Sequence, residues 1–594
     1  MQDLEKKQIA SLQFFSILNS KFLIPLVFLS ASALLLTVIQ PPFGLAYFAW
    51  LAYVPLILVS IKKSKGIFLC SYIIALVYWL GNIYWMGFIT IAGWIAFCAY
   101  TALLWPLLIA SIRYLYEKKV PLLIAAPAMI VGIEHLQGFL LGGFYWRHLS
   151  HSQYANLSLI QISDIFGAAG VSFLIAMVNG LISQLILTVR NSEKKSYLFS
   201  IYCSILNSKF SILIVAVLII STILYGKWRI RKSEQTITQG PVVGVVQSNV
   251  PQSVKDSDES EITREVFASL LELSEKCRQS EAELIIWPET IVPAIMNKQV
   301  WPFLYDANDN LFFHKSLSEH SSQGIYVLIG SPGGKIRFKN QFEPYLEKYN
   351  TATLYTPAGD QASTKYNKIH LVPFGEAIPF KYSFPPLYNF LMMFSPYDFD
   401  YNLTPGSEFT VFEIQDSNDS QQKYRFGVII CYEGVVPHIA RKFALDNNKT
   451  KQIDWLVNIS NDGWFVRFKD KQIKASTELA QHTISCVFRA IENRLSVVRS
   501  VNTGISCIID PIGHIKDGYL EGNLPYKAMD RQAVGGWFVH KVPIDSRITI
   551  FSRFGNWLGR LCKIIVMGVL ILLIIERFVR KNMYGRPKNV KNSK

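Results

Sequence analysis

The chain has 594 residues, of which 51% are hydrophobic and 13% aromatic, and its mean hydropathy is +0.25. This length exceeds that of one ordinary domain, and the hydrophobicity argues against a purely water-soluble protein and for membrane segments. The formal net charge is +16, but the basic residues form no nucleic-acid-binding motif, which argues against a nucleic-acid partner. Eight cysteines without a CxxC pair indicate neither a zinc site nor a disulfide framework.

Apolar stretches that are long enough, or nearly so, to cross a bilayer follow one another through the first 230 residues. They are residues 22–39, 47–61, 67–85, 91–112, 120–136, 170–189 and 210–225. The first could also be the core of a signal peptide, since lysines precede it, but the stretches that follow favour an uncleaved anchor. We therefore predict a membrane domain of about seven transmembrane helices over residues 1–230.

Basic residues are concentrated in alternate loops between these stretches. They are Lys6 and Lys7 before the first stretch, Lys62, Lys63 and Lys65 after the second, Arg113, Lys118 and Lys119 after the fourth, and Arg190, Lys194, Lys195 and Lys209 after the sixth. Basic loops stay in the cytoplasm, so this pattern predicts a cytoplasmic N-terminus and places the residues after 225 outside the cytoplasm. A weaker apolar stretch predicts a C-terminal transmembrane helix at 554–580 and a basic cytoplasmic tail at 581–594.

The intervening residues 240–545 have the character of a soluble domain. Strand-like runs are predicted at 242–246, 284–287, 325–330, 351–355, 426–431, 455–459, 496–500 and 506–509, and helices at 261–280 and 475–493. Because strands and helices alternate along the chain, we expect an α/β domain.

Three apolar runs in this domain each lie beside a chemically reactive side chain. Residues 426–430 precede Cys431, residues 284–287 precede Glu289, and Lys368 stands ahead of residues 369–374. Side chains at strand ends of α/β folds meet substrate, which makes Cys431 a candidate nucleophile. Each residue taken singly has a simpler explanation, because a free cysteine is usually buried and a lone Glu or Lys usually lies on the surface.

Taken together, the three segments resemble the catalytic set of the nitrilase superfamily, which is Glu, Lys and Cys in this order. Three motifs are similar to those of one member family, the apolipoprotein N-acyltransferases: WPET at 287–290, YNKIHLVPFGE at 366–376 and CYE at 431–433. Residues 458–465 and 482–504, and more loosely 145–173, are also similar to that family. The chain departs from it at Val466, where glycine is usual, and in extra sequence near 191–208 and 298–322.

The resemblance implies a polytopic α-helical membrane domain joined to a nitrilase-like α-β-β-α sandwich. It also implies ping-pong acyl transfer without metal or cofactor at the bacterial inner membrane, with the catalytic domain on the periplasmic side. A phospholipid would acylate Cys431, and the α-amino group of a diacylglyceryl-cysteine on an apolipoprotein would accept the chain. We expect Glu289 to accept protons and Lys368 to stabilise the oxyanion. Glu376, Glu433, Tyr432 and Asn350 are expected to support them.

Several alternatives stay open at this point. The same trio would serve a membrane-tethered amidase in which water replaces the amine, and a non-enzymatic membrane protein could retain the fold, although an intact trio argues against this. Glu433 could instead cap a helix, and His370 or His482 could pair with the cysteine, although a lone histidine is more often structural. Lys368 is expected to favour the ionised forms of the carboxylate and thiol.

The apolar and aromatic residues 382–399 are too irregular for a membrane span. They are either a buried loop or a membrane-facing lid that admits lipid chains, and we favour the lid because the site must take its substrate from a bilayer.

Overall fold

The computed structural model describes residues 22–584 except 63, 65, 192–196, 253–259, 339–342, 382, 394–400, 418, 420, 470 and 471. From residue 585 onward, the predicted basic tail lies outside the described residues, as do parts of the extra sequence near 191–208 and of the predicted lid.

The chain up to residue 236 is helical. Its helices are α1 Phe22–Val38, α2 Val54–Ser60, α3 Ile67–Asn82, α4 Ile91–Ala102, α5 Leu104–Glu117, α6 Leu122–Gln137, α7 Leu157–Ile160, α8 Ser163–Phe166, α9 Ala168–Asn191 and α10 Tyr197–Thr236. After the second domain come α16 Ile550–Phe554 and α17 Trp557–Tyr584.

Four helical segments among the described residues are long and apolar enough to cross a membrane: Ile91–Glu117, Ala168–Val189, Ser208–Thr236 and Trp557–Val579. Other apolar helices are shorter; α3, for example, has 16 residues and is about 24 Å long, below the roughly 30 Å of a bilayer core. The protein therefore carries several membrane-capable helices, while the number of spans and the domain limits stay predictions.

The second domain contains two main β-sheets. Its strands are β1 Ile237–Gln247, β2 Leu284–Ile286, β3 Tyr326–Phe338, β4 Pro344–Tyr355, β5 Gln361–Asn367, β6 Val411–Gln415, β7 Lys423–Ile430, β8 Trp455–Asn461, β9 Arg467–Lys469, β10 Gln472–Lys474, β11 Ser496–Asn502, β12 Cys507–Ile509, β13 Glu521–Gly522 and β14 Gly536–Asp545. The seven-stranded sheet has the order β13-β14-β1-β2-β3-β4-β5, and the five-stranded sheet has the order β12-β11-β8-β7-β6. Strands β9 and β10 form a separate hairpin.

The two sheets pack face to face between outer layers of helices. The helices of this domain are α11 Ser260–Gln279, α12 Asn308–Ser321, α13 Pro385–Met392, α14 Pro437–Ala444 and α15 Glu478–Asn493. The Ser500 hydroxyl of β11 lies 2.9 Å from the carbonyl oxygens of Val246 and Ile286, which belong to the opposite sheet. Helices α11 and α12 cover the seven-stranded sheet, and α14 and α15 cover the other. This is the expected α-β-β-α sandwich.

Buried polar contacts join the two domains. Helix α10 runs directly into β1, and the carboxylate of Asp164 in α8 accepts hydrogen bonds at 2.7 Å from Arg229 and from Arg494 of the sandwich. Because Asp164 and Arg494 are almost fully buried, this ion pair depends on the junction staying closed.

The sandwich has more strand than the sequence predicted. Strands β3 and β4 extend well beyond the predicted 325–330 and 351–355, and β5, β6 and β14 were not predicted at all. The extended part of the β3–β4 hairpin and much of β5 are partly exposed and carry Lys, Arg and Glu, so they lack the apolar run that identified the buried strands.

Candidate active site

The candidate nucleophile, Cys431, lies at the carboxyl end of the buried strand β7. Its backbone is left-handed, with φ of +49°, and it begins a 3-10 turn over Cys431–Val435. A residue with a Cβ atom pays about 1–2 kcal/mol for this conformation. Strain of this kind is typical of positions where the fold aims a reactive side chain.

The candidate trio is assembled from the ends of strands in both sheets. Glu289 follows β2, Lys368 follows β5, and Cys431 follows β7, so three elements distant in sequence meet at one edge of the sandwich. The Cys431 thiol is close enough to Glu289, Lys368 and Glu376 to interact with each electrostatically.

Lys368 is fully buried and held between two carboxylates. Its Nζ lies 3.2 Å from Oε1 of Glu289 and 2.9 Å from Oε1 of Glu376. The side-chain amide of Asn350 donates to the same two oxygens, at 2.7 Å and 2.9 Å. Lys368 and Asn350 thus hold the two carboxylates together, and the ammonium remains a fixed positive charge beside the thiol.

Glu289 is oriented by both of its oxygens. Oε1 accepts from Lys368 and Asn350, and Oε2 accepts a hydrogen bond at 2.8 Å from the backbone N–H of Asn461, the last residue of β8. A carboxylate held in this way is positioned to accept a proton from the neighbouring thiol.

The surroundings of Cys431 favour the neutral thiol. Burial raises the pKa of Cys431 well above its usual value, and the charge of Glu289 raises it further, whereas Lys368 lowers it. Lys368 thus acts on the thiol in the direction expected from the sequence, but burial outweighs the lysine. Burial also lowers the pKa of Lys368, but Glu289 and Glu376 more than compensate, so its net pKa is raised and the ammonium stays charged.

Glu433 ties the lysine segment to the nucleophile strand. One oxygen accepts from the backbone N–H groups of Ile369 and His370 at 2.8 and 2.9 Å, and the other accepts from the N–H of Ile430 at 2.8 Å. The Tyr366 hydroxyl donates to the carboxylate as well. Burial raises the pKa of Glu433 to about 7, while these donors and Lys368 oppose the rise. Glu433 is the third residue of the short turn and caps it through the bond from the Ile430 N–H, as the alternative expected, while its other contacts reach across the site.

Tyr432 faces the membrane domain rather than the lysine. Its hydroxyl donates to the carbonyl of Gly143, and its ring stacks against Trp146 and His370 at centroid distances of 5.4 and 5.5 Å. The tyrosine therefore joins the nucleophile turn to the loop that follows α6.

Neither candidate histidine contacts the thiol by a hydrogen bond. His370 Nε2 lies 3.1 Å from the carbonyl oxygen of Gly142, and His482 Nε2 lies 3.1 Å from the carbonyl oxygen of Cys431. A carbonyl only accepts, so both nitrogens are donors. His482 thereby supports the strained backbone of Cys431, which favours the structural interpretation of this histidine over a Cys–His pair.

Behind His482 lies a buried polar cluster. Its Nδ1 is 3.1 Å from Asp462 and 3.6 Å from Glu478, and Arg499 lies 3.7 Å from Asp462. Burial raises the pKa of Glu478 well above its usual value, and Asp462 adds to this. Although burial opposes it, His482 lowers the pKa of Asp462. The three potential ligand atoms of Asp462, Glu478 and His482 lie within 4.8 Å of one another, but Arg499 already supplies a cation there.

Three contributors were missed from the sequence: the backbone N–H of Asn461, the hydroxyl of Tyr366, and the link from His482 to Cys431. The NDGWF motif did point to the segment of Asn461, but nothing in a sequence shows which backbone groups two packed sheets bring together. All seven residues predicted for the site lie in or beside it.

Two family profiles match the chain. The apolipoprotein N-acyltransferase N-terminal domain matches residues 32–181, and the carbon-nitrogen hydrolase family matches residues 243–537.

Relatives match most of the chain. An apolipoprotein N-acyltransferase of Geobacter metallireducens is 30% identical over 82% of this chain and 85% of its own length. An apolipoprotein N-acyltransferase of Chlorobaculum tepidum is 27% identical over 95% of this chain and 98% of its own length. Among solved structures, an amidase of the nitrilase superfamily from Nesterenkonia AN1 covers 54% of this chain and 94% of its own, at 13% identity and a TM-score of 0.31.

Proposed function

The chain belongs to the apolipoprotein N-acyltransferase family, and on this premise we propose how its site transfers an acyl chain. The donor is a phospholipid, and the acceptor is the α-amino group of the S-diacylglyceryl-cysteine that begins an apolipoprotein. The observation that carries this proposal is the buried network of Glu289, Lys368, Glu376 and Asn350 around the cysteine.

In the first half-reaction, the Cys431 sulfur attacks an ester carbonyl of the phospholipid while Glu289 takes the thiol proton. The resting thiol requires this base, because its pKa is raised. Lys368 stabilises the oxyanion of the tetrahedral intermediate. The carbon–oxygen bond then breaks, the lysophospholipid leaves with the proton from Glu289, and a thioester remains on Cys431.

In the second half-reaction, the neutral amine attacks the thioester. Glu289 accepts a proton from the amine, the carbon–sulfur bond breaks, and the proton returns to the sulfur as an amide is released. An α-amino group has a pKa of about 8, so transfer slows as the pH falls below this value.

We also propose where the reaction takes place. We place the protein in the bacterial inner membrane with the sandwich on the periplasmic side. The alternation of basic loops supports this orientation, and so does the 2.7 Å ion pair between Lys118, in a loop predicted to be cytoplasmic, and Glu576, near the end of α17. This contact puts both chain segments on one side of the helices.

The experiment that tests the function is product analysis with full-length protein in detergent micelles. We expect a synthetic S-diacylglyceryl-cysteine peptide, incubated with phospholipid, to gain the mass of one acyl chain at its N-terminus, and an N-acetylated peptide to gain nothing. Release of free fatty acid as the main product, with the peptide unchanged, would instead favour a hydrolase.

A further inference from the structure

A cavity of about 400 Å³ lies between the membrane helices and the sandwich. It is lined by the end of α6, the starts of α9, α14 and α17, and the loop that follows α6. Because these helices begin or end here, the cavity lies at the level where the membrane-capable segments meet the catalytic domain. Its volume lies in the range of small-molecule sites.

The cavity carries an excess of positive charge. Four cationic side chains line it, against the two carboxylates Glu134 and Glu492. Glu492 is paired with Arg489 at 2.8 Å. The other three cations, Arg441, Arg560 and Lys563, form no ion pair with any acid among the described residues.

These three cations have no carboxylate partner in the ranges that the structure describes and repel one another, although Arg441 and Arg560 donate hydrogen bonds to backbone carbonyls of residues 551–554. Burial lowers the pKa of Arg441, and the nearby charge of Arg560 lowers it further. Lys563 places its Nζ 3.8 Å from the ring centroid of Phe139, and Nε2 of His148 is buried without a hydrogen-bond partner within the described part of the chain. An anion in the cavity would relieve the repulsion between these cations and accept a hydrogen bond from the Lys563 ammonium.

Helix ends add to the positive potential. Residues of the first turns of α9, α14 and α17 line the cavity, namely Ala168, Ala169, Pro437, His438 and Arg560. The dipole of a helix is positive at its N-terminus, which favours phosphate and other anions. The Ala168 N–H at the start of α9 already donates to Glu492 at 3.0 Å, and the Gly559 N–H of α17 donates to Asn556, so these helices contribute through their dipoles rather than through free N–H groups.

The cavity adjoins the nucleophile turn. Val435, the last residue of the turn that starts at Cys431, lines it, and so does His370, whose ring stacks on Tyr432. In a glycerophospholipid, only the glycerol backbone separates the phosphate from the ester carbonyls. A phosphate held here would therefore keep an ester close to the site.

We propose that this cavity binds the phosphate group of the phospholipid donor. The inference rests on the proposed function, since it assumes that a phospholipid ester acylates Cys431. The chemistry recognised is a phosphate anion; both a lipid headgroup and free phosphate carry it, and we assign the headgroup.

The test compares R560Q/K563Q with R553Q in the full-length protein. Arg553 is exposed, lies seven residues before Arg560 and does not line the cavity, so R553Q removes a nearby charge without touching the site. Acylation of Cys431 is measured with a phospholipid and with a phosphate-free p-nitrophenyl ester. The ester also reports whether each variant is folded.

We expect the ratio of kcat/KM for phospholipid to that for the phosphate-free ester to fall about tenfold or more in R560Q/K563Q, because charge-assisted hydrogen bonds to phosphate are lost. R553Q should keep the ratio of the unmodified protein. Inorganic phosphate should compete with phospholipid in the unmodified protein and compete less in R560Q/K563Q.

An unchanged ratio in R560Q/K563Q would overturn the assignment. If inorganic phosphate still competed while the ratio stayed unchanged, the cavity would be a site for free phosphate, and the headgroup would lie elsewhere. Failure of the proposed function would look different, since neither ester would then acylate Cys431.

Discussion

The thiol of Cys431 is buried beside a carboxylate and a lysine that act on it in opposite directions. Glu289 raises its pKa and Lys368 lowers it, and burial decides the balance in favour of the thiol. The lysine is then better understood as a stabiliser of the oxyanion than as the group that ionises the nucleophile. We therefore expect acyl transfer to require Glu289 as the base that takes the thiol proton.

The raised pKa predicts how Cys431 reacts with iodoacetamide. Below its pKa a thiol forms about ten times more thiolate for each pH unit, so alkylation should accelerate about tenfold per unit from pH 7 to pH 9. Intact mass measures the rate, and C431A gives the background from other cysteines. A plateau reached by pH 7 would contradict the raised pKa.

Alkylation by iodoacetamide also separates two expected roles of Glu289, its electrostatic effect on the thiol pKa and its action as a base in acyl transfer. Because its charge raises the pKa of the thiol, E289Q should alkylate faster than the unmodified protein at pH 8 while losing acyl transfer. Equal alkylation rates in the two proteins would mean that this charge does not act on the thiol.

The contact of His482 with the nucleophile is its hydrogen bond to the backbone carbonyl of Cys431. We expect H482A to lower kcat by between about tenfold and a hundredfold with little change in KM, because a misplaced nucleophile loses rate rather than affinity. H540A is the matched control, since His540 lies in β14 of the same domain and its ring bonds only a neighbouring carbonyl. An unchanged kcat in H482A would show that the strained turn holds without this support.

At the scale of elements, the site is built from strand ends that the sequence identified well. The runs before Glu289 and Cys431 are fully buried and apolar, so composition alone located β2 and β7. The half-exposed strands β5 and β6 were missed because side chains on their outer faces are polar. Contacts such as Asn461 N–H to Glu289 depend on how two sheets pack, which local patterns do not encode.

The predicted lid over residues 382–399 is described only in part. Helix α13 buries none of its residues, and the rings of Phe384 and Phe390 are each 55% exposed. Exposed aromatic residues on a membrane enzyme indicate contact with lipid, so a buried loop is the weaker interpretation of this part.

The lid hypothesis predicts that F384S/F390S lowers turnover of phospholipid in vesicles by about tenfold, because each lost ring removes apolar contact with lipid. Turnover of a water-soluble ester should stay unchanged. Y305S is the control, since Tyr305 is a fully exposed aromatic residue outside the lid. Undiminished vesicle turnover in F384S/F390S would rule out a role for these rings in admitting lipid.

At the scale of the whole molecule, the two domains form one working unit. The Tyr432 hydroxyl bonds to Gly143 of the membrane domain, and Asp164 pairs with Arg494 of the sandwich. The nucleophile turn is thus attached to the loop that follows α6. The sequence indicated two domains and basic residues in alternate loops of the first. The junction between the domains could not be predicted, because it depends on a buried ion pair between segments about 330 residues apart.

The measurement that tests the account most directly is the intact mass of the full-length protein after incubation with phospholipid alone, beside C431A. We expect one acyl chain to be added to the unmodified protein and none to C431A, and we expect a diacylglyceryl-cysteine peptide to remove it with N-acylation of the peptide. An adduct that forms equally on C431A, or no adduct with any phospholipid, would contradict a thioester mechanism at Cys431.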